Sequence, residues 1–397
     1  MNKNLKILWI TYEDPFLRDS GDRIYTCNIL DALLNFGYEI HLVGYYFQKS
    51  NSNKSVIKNT ESTSINFTLI PFKKASKLKM IFSLAPGMIV NRKRKSYLDL
   101  LEIQLKEHKY DCIFVNHFKM VFSLEIILKA KLRSKLIHVS HNAEYLLSLN
   151  NAKNSNSFLD KIIYWQDSLK TKFYENKWLN YFDIITTISE KDSDYYDDNF
   201  KNPSTCLIRP VFEIDNSISK SKKSINELII VGSFIWGPKI ENLLAFLNSK
   251  KFNALHANGI KLTIVGNADS SLVNKINSNY KGVFMTGKVE SVKPYYDKSK
   301  IAIVPELLGG GFKLKVAEAA LNKTAIFSVA GAITKSNFTA GKHFIEAKNF
   351  DKLIEEVIKY QQKESKIDSM IDETFKIAKN DFTSSKVSIQ LENILKI

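Results

Sequence analysis

"KIAIVPELLGGGFKLKVAEAAL", residues 300–321, is the stretch on which the fold turns. Its apolar start, 301–304, reads as a buried strand. Gly309, Gly310 and Gly311 follow, and then Val316, Ala317, Ala319, Ala320 and Leu321 form the apolar face of a helix. Strand, glycine turn and helix in that order make one step of a parallel α/β sheet. The helix start carries Lys313 and Lys315, although its unpaired amides already favour negative charge. Two readings account for this. An anion bound by the amides and lysines would reverse the repulsion, with the glycines letting it reach the main chain. Alternatively the glycines make a plain turn, and Lys315 pairs with Glu318 on an exposed helix face. Glu318 is open in the same way: its carboxylate suits a vicinal diol such as a nucleotide ribose, or it is a surface glutamate.

Outward from this stretch the same alternation recurs. "ELIIVGS", "KLTIVGN", "GVFMTG" and "TAIFSVA" read as strands separated by helical segments. Upstream, "LKILWITYE", an amphipathic segment containing Ile24, Cys27, Leu30 and Leu34, and "EIHLVGY" open a second strand–helix–strand series. Its later strands are "INFTLIPF", "CIFVN", "KLIHVSH" and "IITTIS", with the polar stretch 48–64 expected as a surface loop. A Ser/Lys-rich segment separates the two series. The expected organisation is therefore an N-terminal domain (1–212), a linker (213–226), a second domain (227–378), and a C-terminal helix (379–397) that returns to the first. Both domains are expected to be Rossmann-like doubly wound α/β sheets facing a cleft. In such sheets ligands bind at the carboxyl ends of the strands, where the strand order reverses.

Lysine outnumbers arginine 51 to 6 in a chain of net charge +16. A sequence-reading nucleic-acid protein relies more on arginine, so nucleic acid is not the expected partner. Phosphorylated substrates or an anionic membrane surface fit the charge better. Residues 62–98 hold eight basic residues and no acid around the apolar "MIFSLAPGMIV". The region 73–95 is thus either a membrane-facing segment or a buried helix with solvated lysines. Three scattered cysteines show neither a disulfide framework nor metal-ligand spacing, and no apolar run reaches the ~18 residues of a membrane span. The expected location is the cytoplasm, on or near the inner membrane face. No zinc cluster, P-loop or nucleophile elbow is present as a motif.

In sequence, "LIIVGSFIWGPKIENLLAF", "LTIVGN" and "GKVESVKPYYDKSKIAIVPELLGGGFKLKVAEAAL" resemble the C-terminal domain of retaining glycosyltransferases of the GT-B fold, family-4 type. "SGDRIYTCNILDALLNFGYEIHLV", "VSHNAEYL" and "KWLNYFDIITTISEKD" are similar to N-domain segments of the same family. The resemblance implies sugar transfer from a nucleotide sugar (UDP- or GDP-linked) to a hydroxyl of a glycan or lipid-linked acceptor, with no bound cofactor and no metal. It implies that Glu318 holds the donor ribose and that the amides at Gly310, Gly311 and Phe312 hold the diphosphate, with Gly232 and Ser233 beside it. Lys313, Lys315, Lys239 and Arg209 are the basic candidates, and Lys288 and Val289 meet the base. In the N-domain, Gly21 and Arg23 mark the acceptor-side glycine loop; Arg23 alone reads equally as a surface residue. His141 matches a position facing the reacting sugar, with Glu144 placed to orient it or to cap the next helix. The chain departs from the family in one place: Gly310 stands where many members carry the first of two glutamates separated by seven intervening residues. Two alternatives therefore accompany the transferase, a non-catalytic GT-B subunit that binds glycan or a partner enzyme, and a nucleotide-sugar epimerase.

Overall fold

A computed structural model describes residues 5–17, 20–46, 58–60, 63–155, 158–212, 223–235, 237–307, 313–333 and 337–396. The chain divides into two compact units, one of Met1–Val211 with Ser384–Ile397 and the other of Phe212–Thr383.

The first unit is built on eight strands: β1 (Lys6–Ile10), β2 (Glu39–Tyr46), β3 (Lys58–Thr60), β4 (Thr63–Pro71), β5 (Cys112–Asn116), β6 (Lys135–Val139), β7 (Ile184–Thr187) and β8 (Ser204–Leu207). They lie in the order β3-β4-β2-β1-β5-β6-β7-β8. All neighbours are parallel except β3 and β4, which form an antiparallel edge. β3 corrects the expectation of a loop over 48–64, since residues 58–60 pair with β4. β1 is central and buried on both faces, which is why it reads as an unbroken apolar run. Five helices of this unit matter below: α1 (Gly21–Asn35), α2 (Lys77–Phe82), α3 (Gly87–Val90), α4 (Glu144–Asn154) and α5 (Phe158–Trp178). The C-terminal helix, Ser384–Leu395, packs on α1 in the same unit.

The second unit is a six-stranded parallel sheet: β9 (Ser224–Val231), β10 (Lys261–Val265), β11 (Val283–Met285), β12 (Ser299–Val304), β13 (Ala325–Val329) and β14 (Ile345–Ala347). The order is β11-β10-β9-β12-β13-β14. Two helices frame its site, α6 (Gly237–Leu247) after β9 and α7 (Leu314–Leu321) after β12. Val316, Ala317, Ala319 and Ala320 of α7 are buried in the core, and its small residues let the helix sit close to β13. One backbone contact at the carboxyl edge requires glycine. Gly266 has φ +139, and a Cβ there would lie 1.7 Å from the Gly232 carbonyl oxygen.

Candidate functional site

In the second unit β9 and β12 are neighbours, and successive strands run outward from them in opposite directions. Such a reversal opens a crevice at the carboxyl ends of the two strands. β9 delivers Gly232 and Ser233 there, and β12 delivers Glu306. Glu306 is buried, and Lys315 of α7 donates to one of its carboxylate oxygens. Its other oxygen, Oε2, is buried with no hydrogen-bond partner among the described residues. Burial alone would push the Glu306 pKa up, but Lys315, Lys313 and Lys239 together outweigh it and hold the carboxyl below its usual range. The same Lys315 ammonium lies 3.7 Å from where a Cβ on Gly232 would stand. Gly232, Lys239, Lys313 and Lys315 are therefore gathered at one strand end, around an ionised glutamate. Lys315, Lys313 and Lys239 all act on this one carboxylate, and lysines gathered with glycines at a strand end are groups of the kind that hold a diphosphate.

Glu318 is half-buried one helical turn beyond Lys315, where the Tyr296 hydroxyl donates to its Oε2 at 3.4 Å. Burial pushes its carboxyl up to about 7. The exposed Lys315–Glu318 pair is not what forms: Lys315 turns to Glu306, because a buried carboxylate demands a partner more strongly than a half-exposed one. Lys288 is exposed and Val289 half-buried against the core, in the loop after β11 whose Gly287 carbonyl accepts from the Gly266 amide at 3.2 Å. Gly310, Gly311 and Phe312 lie outside the described residues. Arg209 belongs to the first unit, where its buried guanidinium pairs with Glu190.

The first unit has its own reversal point, between β1 and β5. Asn116 ends β5, and its amide nitrogen donates to the Thr11 and Thr26 hydroxyls, each at 3.1 Å. Those hydroxyls donate onward to the Glu13 and Asp22 carbonyls. The amide oxygen of Asn116 is thereby turned to His141, 2.8 Å from Nε2. An amide oxygen only accepts, so Nε2 carries the proton and Nδ1 presents a lone pair. That Nδ1 is buried without a hydrogen-bond partner among the described residues, 4.0 Å from an Asp22 carboxylate oxygen. Burial holds the His141 ring down to about 4, so it is neutral at pH 7.

His117 stacks on His141 with ring centroids 5.0 Å apart. Its backbone stands at φ 72, a left-handed conformation that costs a non-glycine residue about 1–3 kcal/mol and persists only where surroundings enforce it. Glu144 faces His117 Nε2 at 3.5 Å and does not reach His141, so its expected role as orienter passes to Asn116. Burial pushes Glu144 up to about 8. Gly21 begins α1, and Arg23 is buried in an ion pair with Glu13 at 2.7 Å, which corrects its reading as a surface arginine. Asn116 and His117 escaped the sequence reading. The signal available was the polar pair "NH" closing the apolar run "CIFVN" in a central strand.

Residues 225–363 match the family model for glycosyl transferases group 1. The chain carries a group 1 glycosyltransferase domain. Glycosyl transfer is the chemistry that follows from it. Over 98% of its length the chain is 24% identical to the whole of a Klebsiella pneumoniae protein described as an uncharacterised 44.6 kDa protein in the cps region. The fold resembles that of sucrose-phosphate synthase from Thermosynechococcus elongatus (TM-score 0.71, 16% identity, 98% of both chains). It also resembles TarM from S. aureus (TM-score 0.68, 11% identity, 100% of this chain and 99% of that one). A third likeness is to HepE of Anabaena, solved with UDP and glucose (TM-score 0.62, 11% identity, 98% and 99%). The fold is the GT-B fold. The group 1 domain contains the whole lysine-lined crevice. Among the described residues no group of three or more side chains is placed to hold a metal ion.

Proposed function

We propose that the chain transfers a sugar, with retention of configuration, from a nucleotide sugar to a hydroxyl of a glycan or lipid-linked acceptor in surface polysaccharide synthesis. The observation that carries the reading is the gathering of Lys239, Lys313 and Lys315 beside Gly232 at the β9/β12 reversal. The anomeric carbon–oxygen bond to the diphosphate breaks, and the diphosphate departs with the electron pair. The acceptor oxygen forms the new bond and gives its proton to the departing diphosphate. The lysines, with the amides proposed at Gly310, Gly311 and Phe312, stabilise the charge that grows on that leaving group. Ser233 joins Gly232 along the phosphates, and Lys288 and Val289 frame the base. Glu318 accepts from the ribose diol. His141, neutral and with a free Nδ1 lone pair, accepts from a sugar hydroxyl, while Gly21 and Arg23 border the acceptor site. Arg209, paired with Glu190, is the weakest of the basic candidates.

The uridine nucleotide in the HepE structure and the cps location of the Klebsiella relative support a UDP-sugar donor and a polysaccharide product. Calorimetry with UDP and GDP on the natural chain and on Glu318→Ala tests the donor site. The variant should bind the preferred nucleotide at least about tenfold more weakly while melting within about 3 °C of the natural chain. Equal affinity would remove Glu318 from the site. The carboxyl near 7 adds a pH signature: the ionised form is the better double acceptor, so nucleotide affinity rises from pH 6 towards a plateau above about 8.

A further inference from the structure

Helix α5 is amphipathic the wrong way round. Ser168, Thr171, Glu175 and Trp178 are its buried residues, while Phe158, Ile162, Trp165, Leu169 and Phe173 descend an exposed face in steps of four, three, four and four, with Leu159 and Ile163 beside them. Seven of the seventeen exposed large hydrophobics among the described residues are on this helix, so the exposure is concentrated there. The patch continues onto the segment after α2. Gln166 and Lys170 donate to the Ile81 carbonyl and Asp167 accepts from the Gly87 amide, which fixes Phe82 and Leu84 along the flank of α5. Those two side chains are 82% and 88% exposed, the highest values among the large hydrophobics. The whole face exposes on the order of 1,000 Å² of apolar residues, against roughly 300–600 Å² for the largest patch of a typical monomer.

The geometry points to this face as a docking surface for an anionic lipid bilayer. Charge decides between a bilayer and a second copy of the chain. Lys73, Lys74, Lys79, Lys161 and Lys177 are exposed around it. Of the three acids on α5, Asp167 is held by the Gly87 amide and Glu175 by the Tyr145 amide and the Tyr195 hydroxyl, which leaves Asp160 at the surface. In a twofold dimer this basic rim would meet itself, whereas anionic headgroups complement it. Trp165 at the centre has the amphipathic ring that settles at headgroup depth. The first six residues of α5, 158–163, all exposed and carrying Phe158, Leu159, Ile162 and Ile163, are shaped to enter the acyl boundary. The basic stretch 73–95 expected from sequence is one margin of this surface, and α5 is its larger part.

Vesicle flotation of the whole chain without nucleotide tests the assignment independently of sugar transfer, which nucleotide calorimetry reads separately. The chain should float with phosphatidylglycerol-containing vesicles, bind pure phosphatidylcholine at least about tenfold more weakly, and lose binding as salt rises. The double variant Ile162→Asp/Leu169→Asp should lose at least about tenfold in vesicle affinity with unchanged melting and nucleotide affinity, because both side chains face outward. Trp165→Phe should remove the fluorescence blue shift seen on adding vesicles. Absence of flotation with anionic vesicles overturns the proposal, as does full binding by the double variant. A dimer in sedimentation that this variant converts to monomer also overturns it and gives the face to a second copy.

Discussion

Asn116 shows how much one amide decides. Its nitrogen is committed to two threonine hydroxyls whose own protons are already given to carbonyls, so its oxygen can only face His141. The imidazole is thus fixed as the Nε2–H tautomer before any substrate arrives, with the lone pair of Nδ1 free to accept. Asn116→Ala removes the acceptor and leaves Nε2–H buried and unpaired, at a cost of about 1–3 kcal/mol. Nitrogen-15 spectra should show a single Nε2–H tautomer for His141 in the natural chain and a mixture of tautomers in the variant. Activity should fall in kcat more than in KM, since Asn116 acts only through His141. A single unchanged tautomer in the variant would show that the ring is fixed by something else.

At the scale of the element, α7 answers why lysines crowd a helix start that already repels them. Lys315 is neutralising Glu306, which β12 has carried into the crevice, and Lys313 and Lys239 add to the field that keeps this carboxylate ionised. Lys315→Ala should therefore cost stability, about 3–5 kcal/mol as for other broken buried pairs. Lys239→Ala, which removes a half-buried lysine, should cost less than half as much. Lys315→Ala/Glu306→Gln should recover most of the lost melting temperature and still bind nucleotide weakly, which separates the lysine's two duties. Recovery of both would leave Lys315 with a structural role alone. The strand, turn and helix of 300–321 were legible because period and glycines are local signals. So were Lys313 and Lys315, which chain order alone carries to the end of β12, and Lys239, which it carries past the end of β9. The partner of Lys315 was not legible, because Glu306 lies nine residues away across a turn and local spacing favours Glu318. Asn116, His117 and the exposed face of α5 were hidden for a related reason. An apolar helix face looks the same in sequence whether it packs on a core or points outward.

For the molecule as a whole, buried titratable groups in the first unit set opposing slopes of stability with pH. Burial lowers His138 and His141 to about 4 and His117 well below the usual histidine range. Between pH 4 and the unfolded value near 6.5 the unfolded chain binds more protons at these three rings, so stability rises with pH. Burial raises Glu144 to about 8 and Glu175 to about 7. From the unfolded value near 4.3 up to those values the folded chain binds more protons, so these two carboxyls make stability fall as pH rises. Three rising contributions outweigh two falling ones below about 6.5, and above it only the falling ones remain. From these five groups, the stability of the first unit should therefore peak near pH 6.5 and decline on both sides. Glu144→Gln isolates the alkaline limb, since glutamine mimics the protonated acid and cannot ionise. Near pH 4 the variant and the natural chain should melt alike; the gap opens as pH rises above the unfolded value, and by pH 8 the variant should be the more stable by about 3 °C or more. Scanning calorimetry of the pair across that range decides it, and parallel curves would mean that Glu144 is ionised in the folded chain, as the charged partner of His117.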